Sequence, residues 1–196
     1  QVHLSPASLG ALARASVECR SGLLPTAPFV VVWNDSSIDP SRAPAGKHLK
    51  KLVVLGVPYE IAGDATGAIA GRTWDEARDA YADHVIAMVE ASYLPGLRER
   101  IVARVAHSPR DLERKLSSAV RGTISPGALL PYQIGASRPL PALAGYRTPV
   151  PNVFLADSGT HPGPGVSMGS GRNAAKIILA ELGLPDAAAQ AATSIL

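Results

Sequence analysis

Two short apolar runs constrain what this chain can fold into. Phe29-Val-Val-Val-Trp33 is a continuous apolar, β-branched stretch, and Leu52-Val-Val-Leu-Gly-Val57 is a second. Neither alternates apolar with polar residues, as a strand with one wet face would, so both read as strands covered on two faces. Both are far too short to cross a bilayer. They are expected as neighbours in one sheet, joined by a loop from Asn34 to His48 that holds Asp39-Pro40 and Pro44-Ala45-Gly46. Prolines and glycines of that kind punctuate the chain (17 and 18 residues), so many turns and few long helices are expected.

Helices should cover the sheet. Ser5-Pro6 reads as an N-cap followed by proline, with Leu9, Leu12, Ala13 and Val17 at helical spacing and Gly22 and Pro25 as the stop. After a Gly/Ala stretch from Gly63 to Gly71, Thr73-Trp-Asp-Glu76 is a capping box. Ala77, Tyr81, Val85, Met88 and Val89 form the stripe behind it, ending at Pro95-Gly96. Ile101–Ala106 reads as a third strand, and Ser108-Pro109-Arg-Asp111 as another capped helix start. Gly122 to Pro151 has little periodicity, as expected of a functional surface or covering segment. The fold class is α/β (α+β), a mixed sheet with helices.

Several function classes are disfavoured. The net charge of +3 is well mixed, and the one tight basic cluster, Lys47, Lys50 and Lys51, has no interleaved aromatics, so no nucleic-acid binding is expected. Cys19 is the one cysteine, which excludes an internal disulfide and gives no metal site. A reducing, cytoplasmic compartment follows, with neither a signal-peptide pattern nor evident membrane association. The chain opens on Gln1 and not Met, so processing, or excision from a longer chain, is expected.

The chemistry is expected between Asn152 and Gly183. Asn152-Val-Phe-Leu-Ala156 reads as a last strand with Asp157 at its carboxyl end. A glycine-rich turn follows, then a helix with Ala174, Ile178 and Leu182 as its stripe, Gly183 at C′ and Pro185 beyond. Ligands of open α/β sheets bind outside the carboxyl ends of strands, and the unpaired amides of a helix start suit an electron-rich group. Gly163, Gly165, Gly169 and Gly171 would let a ligand approach the backbone. No GxGxxG fingerprint is present. Spacing therefore leaves two readings open, a ligand at a helix N-terminus or a plain tight turn.

Tyr146-Arg-Thr-Pro-Val150, Val153-Phe-Leu-Ala-Asp157, Gly159-Thr-His-Pro-Gly-Pro-Gly-Val166 and Gly171-Arg-Asn-Ala-Ala175 together resemble the C-terminal flavin-binding motif of phytoene-desaturase-like FAD-dependent oxidoreductases. Asp39-Pro-Ser-Arg-Ala-Pro-Ala-Gly-Lys-His48, Trp74-Asp-Glu-Ala, Tyr81-Ala-Asp83 and Ser108-Pro-Arg-Asp-Leu-Glu113 are similar to that family's substrate domain. The resemblance spans Pro28 to Leu184. It implies a latter substrate-domain part over 1–145, a C-terminal FAD-binding segment over 146–185 that supplies one strand–helix pair to a Rossmann-like domain, and a tail over 186–196. A second polypeptide carrying GxGxxG, joined to this chain as in a split or proteolytically nicked enzyme, would hold the nucleotide half of FAD. The resemblance places Asp157 by the ribityl or diphosphate part of FAD, with Gly165 and the backbone of Val166, Ser167 and Met168 toward the ring's pyrimidine edge. Substrate, a small apolar organic molecule, would meet Tyr132, Gln133 and His161.

The residues leave alternatives open. His161 is a proton shuttle or a loop histidine bonded to backbone, and Asp157 binds flavin or caps a turn. Tyr132 and Gln133 line a pocket or lie on the surface. Arg172 and Asn173 hold phosphate or cap the helix. No catalytic base stands out. From Thr123 to Gln133 the chain departs from the family's Gly-Asn-Ile-Phe-His-Gly-like residues, so a carotenoid substrate is not assumed. A non-catalytic binding or assembly module derived from such an enzyme is the alternative function. In either case the isolated chain is expected to expose apolar surface and aggregate.

Overall fold

In a computed structural model, described for residues 2–128, 130–165 and 167–186, the chain forms two units, Gln1–Gly122 and Thr123–Leu196. The first unit begins with β1 (Val2–Leu4), α1 (Leu9–Arg20), β2 (Leu23–Leu24) and β3 (Phe29–Trp33). It continues through β4 (Lys51–Leu55), β5 (Gly63–Asp64), α2 (Trp74–Ser92) and α3 (Pro109–Lys115). The valine run becomes β3, the centre of an antiparallel sheet of order β1-β3-β4, and pairs Val31 with Val53. β2 and β5 form a separate parallel pair. Val30, Val31 and Val32 are all buried, so both faces of β3 are covered as expected.

The main core forms where β3 meets α2. Leu24, Val30 and Val32 pack with Trp74, Ala77, Tyr81, Val85 and Val89, and Met88 borders them. α2 begins where its sequence says it must. The Thr73 hydroxyl accepts from the Glu76 amide at 3.4 Å, and Glu76 accepts in return from the Thr73 amide at 3.2 Å. The Trp74 indole donates to the Pro58 carbonyl at 3.1 Å, which satisfies its polar atom inside the core. α3 carries its own box: Asp111 accepts from the Ser108 amide at 2.9 Å, and the Ser108 hydroxyl accepts from the Asp111 amide at 3.1 Å.

Four expectations need correction. β4 lies at the sheet edge and is half-buried, with Leu55 47% exposed, so it is not covered on two faces. α1 is capped by Ser8, three residues later than Ser5, because Ser8 has the extended backbone that lets its hydroxyl accept from the Ala11 amide at 3.1 Å. Its apolar stripe lies outside: Leu9 is 85% exposed, and Ala15 is the buried residue of the helix. Ile101–Ala106 is not a strand among the described residues; Val102 is 80% exposed, and Arg104 is drawn to Asp83 in an ion pair. Asn152–Ala156 is not a buried strand either. It makes one isolated antiparallel bridge, Phe154 with Arg147, and lacks the neighbour on its other side that a covered strand requires.

The second unit holds that bridge, a series of short 3-10 turns (Pro131–Gln133, Gly135–Ser137, Pro141–Leu143) and α4 (Gly169–Glu181). α4 ends as expected: Leu184 donates to the Leu179 carbonyl at 2.9 Å and Gly183 to the Ala180 carbonyl at 3.3 Å, with Gly183 at φ 65°. This closure needs a left-handed residue at C′, which glycine adopts without strain. Ala174 of the expected stripe is buried, whereas Leu182 is exposed. Among the described residues no helix is long and apolar enough to cross a membrane.

Candidate functional site

The segment from Asp157 to α4 is held from below by backbone and side-chain bonds. The Asp157 carboxylate accepts from the Gly159 amide, and its carbonyl accepts from the Thr160 amide at 3.1 Å and hydroxyl at 2.8 Å. Asp157 therefore shapes the turn itself while staying exposed. The His161 carbonyl accepts from the Tyr146 hydroxyl at 2.9 Å and from the Ser170 hydroxyl at 3.2 Å. Asn173 donates to the same Tyr146 hydroxyl at 2.8 Å. Tyr146, Ser170 and Asn173 thus lock the turn onto the first coils of α4, and the His161 side chain is left exposed.

The next stretch is open. Gly165 has φ 129°, a backbone state closed to other residues, and an added Cβ there would meet nothing within 4 Å. Val166 lies outside the described residues. Ser167 accepts from the Gly169 amide at 3.3 Å through its hydroxyl. Met168, the N-cap of α4, is left-handed at φ 59°, caps nothing with its side chain and is 82% exposed. No acidic residue occupies the first turn, so the partial positive charge of the helix start is not neutralised by its own side chains. These features suit an electron-rich group: exposed residues, room at a glycine, and a helix end without a built-in anion.

Of the residues expected to meet substrate, Tyr132 is exposed on a short turn. Gln133 is tied down, donating to the Pro139 carbonyl at 3.1 Å. Both belong to the same unit as His161. In the first unit, clefts of about 200 and 400 Å³ share Tyr59, Glu60 and Ile61, and neither is lined by an expected site residue. Cys19, at the larger of them, is half-buried, and burial pushes its thiol up. No group of three or more His, Cys, Asp or Glu side chains is placed to hold a metal among the described residues.

Sequence reasoning missed Tyr146 and Arg138. Tyr146 stands in the quoted Tyr-Arg-Thr-Pro motif, which was the available signal. Arg138 has none. It is wholly buried, donating to the carbonyls of Ala128 at 3.2 Å, Gln133 at 3.1 Å, Ser158 at 3.5 Å and also Pro126.

No protein-family model matches the chain. Among curated proteins it is 36% identical over 182 residues to pyridine nucleotide-disulfide oxidoreductase domain-containing protein 2 of Rattus norvegicus, a match covering 92% of this chain and 30% of that protein. It is 28% identical over 153 residues to a limonene dehydrogenase subunit of Castellaniella defragrans, covering 76% and 26% respectively. It is 32% identical over 147 residues to phytoene dehydrogenase of Streptomyces griseus, covering 75% and 27%. The chain thus spans under a third of the length of the curated relatives it matches.

Proposed function

We propose, from the premise that this chain is a homologue of oxidoreductases of the phytoene-dehydrogenase kind, that it completes the flavin site of an FAD-dependent oxidoreductase. A separate polypeptide stretch with GxGxxG would grip the nucleotide half, in keeping with the short span of each relative that the chain matches. The observation that carries the reading is the exposure of Gly165, Ser167 and Met168 at a helix start that the Met168 side chain does not cap, behind a turn braced by Asp157. FAD, when bound, would accept hydride from a substrate C–H bond.

This chain's residues then have defined tasks. The α4 amides favour a neighbour that gains negative charge, a contribution of about 0.3–1 kcal/mol for an exposed helix end and larger where water is excluded. Gly165 admits close approach, Ser167 and Met168 present backbone, and Asp157 fixes the turn's shape. Tyr132, Gln133 and the exposed ring of His161 are the groups proposed to meet a small apolar substrate.

The test is the full-length protein purified from its native coding sequence. It should carry FAD, with an oxidised-flavin absorption spectrum that bleaches with dithionite. A colourless protein that releases no FAD on denaturation, and takes none up when reconstituted, would refute the reading.

A further inference from the structure

Arg138 combines features that packing alone does not call for. Its guanidinium is fully buried, yet none of the ion pairs among the described residues includes it. A buried charge is ordinarily paired, because desolvating it is costly. Here four backbone carbonyls take its two terminal nitrogens, and Nε has no hydrogen-bond partner among the described residues. Neutral carbonyls satisfy the hydrogens of the two terminal nitrogens, but among the described residues no anion offsets the charge. The flat face of that group lies against the candidate turn: a Cβ on Gly163 would lie 3.7 Å from Nε, 3.8 Å from Cζ and 3.9 Å from Cδ. Through Ser158 the guanidinium also grips the turn's own backbone.

We propose that Arg138 is a positioning residue for the flavin turn, framing it and charging it from behind. The fork gathers Pro126, Ala128, Gln133 and Ser158 into one frame. The uncompensated charge, acting in a medium of low dielectric, selects a docked group that is, or becomes, anionic. The inference rests on the flavin reading for the identity of that group, but the frame does not depend on it.

The test compares full-length wild type with Arg138→Lys and Arg138→Met, each checked for folding by circular dichroism. Hydrogen exchange over 157–163 should rise about tenfold in both variants, because neither has the fork, while exchange in α2 stays unchanged. The preference for reduced over oxidised FAD should fall about tenfold in Arg138→Met, which lowers a two-electron midpoint potential by about 30 mV. Arg138→Lys should keep most of that potential because it keeps the charge. Unchanged exchange in both variants overturns the frame, and a wild-type potential in Arg138→Met overturns the charging role. A wild type without FAD refutes the functional reading and the charging role together, and exchange then decides the frame by itself. If neither variant folds, the wild type decides: the Nε–H signal of Arg138, read by 15N NMR with labelled arginine, should move on FAD addition. A signal indifferent to FAD overturns the proposal.

Discussion

Tyr81 brings a hydroxyl into the first unit's apolar core and places it on the Pro25 carbonyl 3.0 Å away. Burial pushes its phenol well above the usual range. Tyr81→Phe would leave that carbonyl without its partner, so a loss of about 1–3 kcal/mol in urea unfolding is expected. Asp111 responds to pH instead. The Ser108 amide, the Ser108 hydroxyl and Arg78 hold its carboxyl down to about 2 from an ordinary 3.8. A carboxyl depressed on folding stabilises above its unfolded value, and that stability disappears as pH falls toward the folded one. Between about pH 4 and pH 2 the urea midpoint should therefore drop less steeply in Asp111→Asn than in wild type. Arg138 marks the limit of sequence reasoning at this scale. Arginine is rarely buried, and its carbonyl partners come from scattered positions that share no pattern.

The pairing of the two apolar runs and the helices with unambiguous caps were legible, whereas α1's cap and the segments lacking a strand partner were misread. α2 could be read because its capping box and its stripe both lie within the helix and its flank. α3 was legible for the same reason. Thr73→Ala and Ser108→Ala should each cost about 1 kcal/mol in thermal or urea unfolding. Ile101–Ala106 has the composition of a strand but no ladder to join, so the exposed valines follow an irregular path. The candidate site divides in the same way. Its glycines, Asp157 and His161 were found from a contiguous motif, whereas the brace from Tyr146 to Asn173 and Ser170 depends on packing across 27 residues.

At the scale of the whole molecule, large apolar residues lie exposed in both units. Leu9, Leu12 and Val17 of α1, Val102 and Val105 of the irregular segment, and Leu182 and Leu184 after α4 are all exposed. Such groups on a chain that spans under a third of its relatives suit contact with further polypeptide. The isolated 196-residue chain should therefore self-associate in light scattering, with mass rising with concentration, while the full-length protein does not. A monodisperse monomer at high concentration would contradict this.

The fully buried members of the main apolar core all lie between Leu24 and Val89, whereas the candidate turn begins at Asp157. Mutations that change how firmly the first unit folds and mutations that change what the turn accepts therefore fall on separate stretches of the gene. Lineages can diversify one stretch by drift or recombination while inheriting the other intact. Across orthologues, the two stretches should accumulate differences at unequal rates.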